Sequence, residues 1–162
     1  MSGMNIRIVP HGSGLYWKAV ELRSKHLREP LGLAFTPEEL EAEASSFHVV
    51  ATKNDEVVGS VTLATYSKHV LKLRQMIVAP VLHKQNLGRK IIETAEQLAL
   101  DNGFDQIELH ARETAVNFYQ KCGYKVLGEQ FTEVTIPHRS MKMCLVKNCK
   151  TTDMDRLALQ KS

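Results

Sequence analysis

Residues 75–90 constrain the fold of this chain more than any other part of the sequence. They begin with an apolar segment that favours a strand, Pro80 ends strand pairing, and a short polar loop follows. Residues 86–100 then show the apolar periodicity of an amphipathic helix. The first turn of a helix has unpaired N–H groups and a partial positive charge, and Gly88 leaves room for a phosphate beside the backbone. The pattern therefore predicts an anion site between a strand and a helix.

The rest of the chain reads as a mixed order of strands and helices. Thr36 can cap a helix that has Pro37 at its first position and Glu39 completing a capping box. Residues 53–56 read as a turn between two strands of a hairpin. Strands are expected at 5–9, 47–51, 57–65, 72–78, 106–110, 124–127 and 139–146, and helices at 15–27, from Thr36, at 86–100 and at 114–121. This order predicts one mixed α/β domain over residues 1–146, with 147–162 as a polar tail.

Size and composition exclude several classes of protein. A length of 162 residues suits one domain, and 43% hydrophobic with 24% charged residues is ordinary for a globular chain rather than a disordered one. We expect no membrane span and no signal peptide, hence a cytoplasmic protein. The formal charge of +3 is spread among acidic residues, so nucleic-acid binding has no support. The odd set Cys122, Cys144 and Cys149 has no CxxC pair, which indicates reduced thiols and no metal site.

Residues 78–88 resemble the acetyl-CoA-binding motif of the GNAT superfamily, the general-control-type N-acetyltransferases. That motif reads Val-x-Pro, then Arg/Gln-x-x-Gly-x-Gly/Ala, followed by a helix. Here His83 stands where Arg or Gln is usual, and Asn86 stands where the first Gly is usual. Asn is the next-best residue for a positive φ angle, and a His ring can still donate to a phosphate. A dinucleotide-binding fold fits less well, since it needs three glycines after the first strand.

Residues 114–129 resemble the second signature of the same superfamily, a helix that ends in Phe-Tyr-x-x-x-Gly-Phe/Tyr. In this chain Phe118 and Tyr119 are followed by Gly123 and Tyr124. The resemblance covers about residues 57–143. Within the superfamily, the chain is similar to a bacterial subgroup of acetyltransferases. It implies a mixed, mostly antiparallel sheet flanked by helices, whose splayed central strands form an acyl-CoA cleft.

The resemblance also implies a mechanism and a set of site residues. An amine attacks acetyl-CoA directly in a ternary complex, a backbone N–H near Val78 stabilises the oxyanion, and Tyr119 is the general acid for the departing thiolate. Asn117 is expected to hold the pantetheine. The cofactor-binding residues implied are Met76, Ile77, Val78, His83, Lys84, Gln85, Asn86, Leu87, Gly88, Arg89 and Asn117.

The general base and the acceptor stay open at this point. Five residues lie in or beside the C-terminal half of the expected site, and none is singled out: Glu108, His110, Glu113, Glu133 and His138. Residues 131–138 resemble a loop of the bacterial subgroup that would line the acceptor pocket. A small-molecule amine is the first choice of acceptor, and a protein amine is the second. The sequence leaves open whether the protein forms a homodimer. The alternatives are an inactive acyl-CoA-binding sensor or scaffold and a structural domain without a cofactor.

Overall fold

The computed structural model describes residues 4–83, 86–147 and 149, and it has the mixed α/β class that the sequence predicts. Within those residues it contains seven strands, mostly antiparallel, and four α-helices. The strands are β1 (Met4–Val9), β2 (Phe47–Lys53), β3 (Glu56–Thr65), β4 (Val70–Val78), β5 (Gln106–Arg112), β6 (Lys125–Glu133) and β7 (Ile136–Cys144). The helices are α1 (Gly14–Arg23), α2 (Pro37–Ala42), α3 (Leu87–Asp101) and α4 (Val116–Lys121).

The chain divides into two compact units. One comprises the residues up to Ala64 together with Leu73–Ala95, and the other comprises Thr65–Lys72 and the residues from Glu96 onward. The expected division into a domain over 1–146 and a tail over 147–162 stays a prediction, and most of that tail lies outside the described residues.

In the first unit the strand order is β1-β2-β3-β4. β1 and β3 both pair antiparallel with β2, whose residues from His48 to Thr52 are buried, so the core of this unit lies around that strand. The β2–β3 hairpin turns at Asn54 and Asp55, with φ angles of 51° and 69°. Both are residue types that tolerate left-handed backbone, which is why the predicted turn forms.

Helix α2 begins where the sequence predicts. The Thr36 hydroxyl accepts from the Glu39 backbone N–H at 3.1 Å, and the Glu39 carboxylate accepts from the Thr36 N–H at 3.2 Å. This reciprocal capping box satisfies two backbone donors that a helix start would otherwise leave unpaired. Helix α1 is shorter than the expected 15–27, because the chain widens into a π-helical turn at Ser24–Arg28 before Pro30.

In the second unit the strand order is β5-β7-β6, and both pairings are antiparallel. A bulge interrupts the β6–β7 register between Leu127 and Phe131, with Gly128 at φ 68°. Residues 131–138, expected to be a loop, are instead the tip of the β6–β7 hairpin. Its turn residues Val134 and Thr135 have φ angles of 51° and 62°. The turn contains no Asn-Gly type signal that would predict this hairpin from the sequence.

One expectation about the cysteines is wrong. The structure joins Cys144 and Cys149 in a disulfide that does not include Cys122, whereas the spacing had indicated three reduced thiols. A separation of five residues is not a CxxC pattern, yet it brings the two Cα atoms to 5.8 Å, within the range that a disulfide spans. Over the described residues, no helix is both long and apolar enough to cross a membrane.

Candidate functional site

The end of β4 departs from regular strand geometry just before the predicted anion site. Gln75 has a φ angle of 56°, a left-handed conformation that costs energy for a residue with a side chain. Met76 and Ile77 are half-buried and Val78 is buried, so these three predicted site residues lie at the end of the strand. Beyond them the Ala79 N–H donates to the Val58 carbonyl oxygen at 2.8 Å, after which a short 3-10 turn leads out of the sheet.

Glycine at position 59 allows β3 to lie close to this part of β4. A Cβ atom at Gly59 would be 3.1 Å from the backbone oxygen of Ile77 and 2.8 Å from the Ile91 side chain. The path of β4 at Ile77 therefore depends on a missing side chain on its neighbour.

His83 is held by the chain itself. Its Nε2–H donates to the Val78 carbonyl oxygen at 2.7 Å, which anchors the loop to the end of β4. In that tautomer Nδ1 is an acceptor, so donation to a phosphate would require the protonated ring. A phosphate contact from His83 stays a prediction.

The loop closes onto helix α3 through Asn86. Its φ angle is 63°, the left-handed conformation expected for the position where the superfamily usually has glycine. The Asn86 carbonyl accepts the first helical hydrogen bond from the Lys90 N–H, at 3.2 Å. Lys84 and Gln85, the other predicted loop residues, lie outside the described residues.

Helix α3 presents its first turn as an anion site would require. Leu87 is fully buried and anchors the turn, and Gly88 adds no side chain beyond its backbone. The backbone N–H groups of this turn have no partner within the helix, and no acidic residue stands there to repel an anion. Arg89 is exposed and lies 3.9 Å from Glu93, a surface pair too weak to hold the guanidinium in place.

The second unit contains the predicted acid. Tyr119 is 6% exposed on α4, with its ring 5.1 Å from Phe118 and 5.9 Å from Tyr124, both in edge contact. Burial raises the pKa of Tyr119 above its usual value, so the phenol keeps its proton at neutral pH. Asn117, two residues earlier, is exposed. Tyr119 is thus the buried residue of α4.

The structure separates the five base candidates. Glu108 is buried and accepts from the Gln106 side-chain amide at 2.6 Å. Glu113 is exposed and pairs with Arg139 at 3.3 Å. These contacts occupy both carboxylates within the protein.

The other three candidates lie together. The Glu133 carboxylate accepts from His110 Nδ1 at 2.9 Å, and its second oxygen is 3.8 Å from His138 Nε2. The Phe131 ring packs against both imidazoles, with its centroid 4.9 Å from that of His110 and 6.0 Å from that of His138. The sequence named these residues without grouping them, since 23 and 28 positions separate His110 from its partners.

This cluster has a defined electrostatic balance. Burial lowers the pKa of His110 below its usual value, Lys72 and His138 act in the same direction, and Glu133 opposes them. Burial alone would raise the pKa of Glu133, but the hydrogen bond from His110 and the nearby positive charges outweigh it, so its pKa lies below the usual value. Near neutral pH the pair is thus a neutral imidazole beside a carboxylate.

Comparison with known proteins identifies the family. The GNAT acetyltransferase domain matches residues 25–145, which is most of the chain. This chain belongs to the GNAT acetyltransferase family. It is therefore an acyl-CoA N-acyltransferase, as the two sequence signatures predicted.

Individual relatives agree with that assignment. The Bacillus subtilis protein YjcF, named an uncharacterized N-acetyltransferase, is 32% identical over 102 residues, which are 62% of this chain and 72% of YjcF. An aminoglycoside 6'-N-acetyltransferase solved with coenzyme A is 17% identical with a TM-score of 0.76, over 89% of this chain and 98% of that one. A GNAT acetyltransferase from Elizabethkingia anophelis, solved with acetyl-CoA bound, is 16% identical with a TM-score of 0.68, over 88% and 99%. At such identities the two solved structures show the fold alone.

Proposed function

We propose that this GNAT enzyme transfers the acetyl group of acetyl-CoA to a primary amine by direct attack within a ternary complex. Acetyl-CoA is the co-substrate, in keeping with the family and with the CoA-containing solved relatives. A small-molecule amine is the proposed acceptor, and a protein amine is the second candidate. The aminoglycoside enzyme offers one precedent for a small acceptor.

The observation that carries the proposal is the left-handed Asn86 at the start of α3. A residue with a side chain adopts that conformation at the position where the superfamily usually has glycine. We assign the CoA diphosphate to the N–H groups of Leu87, Gly88 and Arg89, where the helix supplies a partial positive charge. The other residues that we propose to bind the cofactor here are His83, Lys84 and Gln85.

We assign the acyl end of the cofactor to the last residues of β4. The β4 residues Met76, Ile77 and Val78 would contact the pantetheine and acetyl groups, with a backbone N–H of this segment stabilising the oxyanion. Asn117 would bind the pantetheine. The left-handed Gln75 supports this assignment, because it interrupts regular strand geometry just before those residues.

The chemistry needs no enzyme nucleophile. The amine nitrogen forms a bond to the thioester carbon, the C–S bond breaks, and the amine loses one proton while the CoA thiolate gains one. Tyr119 would supply the proton that the CoA thiolate gains. Its buried phenol stays protonated until the thiolate forms, and a thiolate in the same poorly hydrated surroundings is a stronger base than it is in water.

A pair of tyrosine variants tests the acid. Tyr119→Phe should lower kcat by about 10²- to 10⁴-fold, the usual contribution of a general acid, while the acetyl-CoA Kd stays within a few fold of wild type. Tyr124→Phe is the matched control, since Tyr124 lies in the same aromatic cluster but donates to Glu96 at 3.1 Å. CoA release would be followed by thiol titration over a panel of amines, and the Kd by calorimetry.

The outcomes separate the alternatives. Wild-type protein that binds acetyl-CoA but turns over with no amine would favour the sensor. Protein with no affinity for any CoA species would exclude both the acetyltransferase and the acyl-CoA-binding sensor. Equal kcat values for Tyr119→Phe and Tyr124→Phe would take the acid role away from Tyr119.

A further inference from the structure

Three side chains in the second unit are brought to one face of the sheet by strand register. Arg112 of β5 and Phe131 of β6 both pair with His138 of β7, and paired residues of antiparallel strands point to the same face. Since side chains alternate along a strand, His110 and Glu133 share that face with His138. The hydrogen bond between His110 and Glu133 confirms the arrangement.

Glu133 selects the tautomer of His110. A carboxylate can only accept, so Nδ1 carries the proton that is donated at 2.9 Å and Nε2 carries the lone pair. The His110 side chain is 27% exposed, so solutes can reach the ring. The Phe131 ring, in edge contact at 4.9 Å, restricts its rotation. A fixed, neutral and accessible imidazole is what a general base requires.

His138 differs from His110 in each of these respects. Its side chain is only 7% exposed, its Nδ1–H donates to the Ile136 carbonyl oxygen at 2.8 Å, and its Nε2 faces Glu133. Both of its nitrogens are thus directed at the protein. His110 is the imidazole of the pair with a nitrogen left for a substrate.

We propose that His110 Nε2 is the general base that takes the proton from the acceptor amine, with Glu133 as its positioning residue. This inference rests on the proposed function and extends it to the missing base. As the amine nitrogen bonds to the thioester carbon it becomes positively charged, and one of its protons passes to His110. The imidazolium is then stabilised by the Glu133 carboxylate and loses its proton to solvent.

The charges around His110 make the proposal testable by pH. The charged or titratable groups on the same face or acting on the ring are Glu108 and Arg112 of β5, His138 and Lys142 of β7, Lys125 and Glu133 of β6, and Lys72 of β4. Two of them act in opposite directions, since Glu133 raises the pKa of His110 and Lys72 lowers it.

Direct replacement of the base is the first experiment. His110→Asn should lower kcat by about 10²- to 10⁴-fold, with the acetyl-CoA Kd and the melting temperature close to wild type. His110→Ala should recover part of the lost rate when imidazole is added to the buffer, because a free imidazole can enter the space. A purely structural histidine would show neither the intact Kd nor the rescue.

The pH profile of kcat is the second experiment. Wild type should lose rate as pH falls through the pKa of His110, which lies below 6.5, the ordinary value for histidine. Glu133→Gln removes the group that raises this pKa, so its acid limb should move to lower pH and its plateau should drop. Lys72→Gln should move the limb to higher pH. Titration of the amine itself is common to all variants and cancels in the comparison.

Two further carboxylate variants complete the design. Glu39→Gln is the control, because its carboxylate has the same 42% exposure as that of Glu133 and pairs with Arg28 in the first unit. It should leave the profile unchanged. Glu113→Gln tests whether Glu113, which directly follows β5, is the general base instead of His110.

Some outcomes overturn the inference without touching the proposed function. These are a His110→Asn enzyme with kcat within about threefold of wild type, a larger loss in Glu113→Gln than in Glu133→Gln, or limbs that move in the same direction in Glu133→Gln and Lys72→Gln. The proposed function itself would fail at an earlier point, through wild-type protein that neither binds nor consumes acetyl-CoA.

Discussion

The ion pair between Arg23 and Glu43 is where a single substitution should cost the most stability. Arg23 is 1% exposed, and its guanidinium donates to both carboxylate oxygens of Glu43, at 2.9 and 2.6 Å. The Tyr16 hydroxyl donates to the same carboxylate at 2.8 Å, and the guanidinium lies 4.6 Å above the Phe35 ring centroid. The pair joins α1 to the end of α2 inside the first unit.

Glu43→Ala leaves a buried guanidinium without a counter-charge. Breaking a buried pair by removing one partner costs about 3–5 kcal/mol, because the remaining charge cannot be resolvated. For a chain of this length each kcal/mol lowers the melting temperature by about 2–4 °C, so the expected decrease is roughly 6–20 °C. The double variant Arg23→Leu/Glu43→Leu should recover most of the loss, since two apolar side chains replace two charges.

The same ion pair predicts how the stability of the fold decreases at acid pH. Burial alone would raise the pKa of Glu43, but the hydrogen bonds from Arg23 and Tyr16 outweigh it, and the pKa lies below its usual value. A depressed carboxyl pKa stabilises the fold above the pKa of the unfolded chain, and that contribution is lost as pH falls through the folded value.

Thermal unfolding by circular dichroism between pH 7 and pH 3 would measure both effects. Glu93→Ala is the control, because its pair with Arg89 is exposed and 3.9 Å long and should contribute at most about 0.5 kcal/mol. If Glu43→Ala lowered the melting temperature no more than Glu93→Ala, the pair would not be buried as described. The wild-type advantage over Glu43→Ala should shrink at low pH.

Two further predictions concern backbone fit. Gly59→Ala should destabilise the chain by about 1–3 kcal/mol and weaken acetyl-CoA binding, because its Cβ would press on a β4 backbone oxygen 3.1 Å away; unchanged Kd and melting temperature would count against the close approach. Val134→Asn with Thr135→Gly should raise stability by roughly 1–3 kcal/mol by relieving two left-handed β-branched residues, and the converse exchange at Asn54 and Asp55 should lower it, both followed by chemical denaturation.

Local chemistry explains which parts of the fold were predictable. The Thr36 capping box, the Asn54–Asp55 turn and the left-handed Asn86 each depend on residues within four positions of one another, and the structure has all three. The helix start at α3 was predictable for the same reason. Interactions of this kind leave a spacing that can be read directly.

The parts of the structure that the sequence did not predict depend on contacts between distant residues or on a backbone angle that its residue type does not favour. Arg23 and Glu43 are 20 positions apart, and nothing in either segment marks them as partners. The His110–Glu133 pair requires β7 to lie between β5 and β6 with a bulge at Gly128, which no local pattern specifies. Gln75 has a positive φ angle although Gln has no preference for it, so this irregularity of β4 left no signal in the sequence.

The positions that break local rules are informative about where function lies. Residue types that rarely take left-handed conformations do so in two segments with a proposed role: Gln75 before the acyl site, and the β-branched turn that follows Glu133. The hairpin at Asn54 and Asp55 has no proposed role, and it uses residues suited to its geometry. Strain of this kind persists where surrounding structure enforces it, most often at sites that bind or react. If the β-branched turn holds Glu133 against His110, relieving it with Asn-Gly should raise stability and loosen that pair, so the gain in melting temperature should come with a lower kcat.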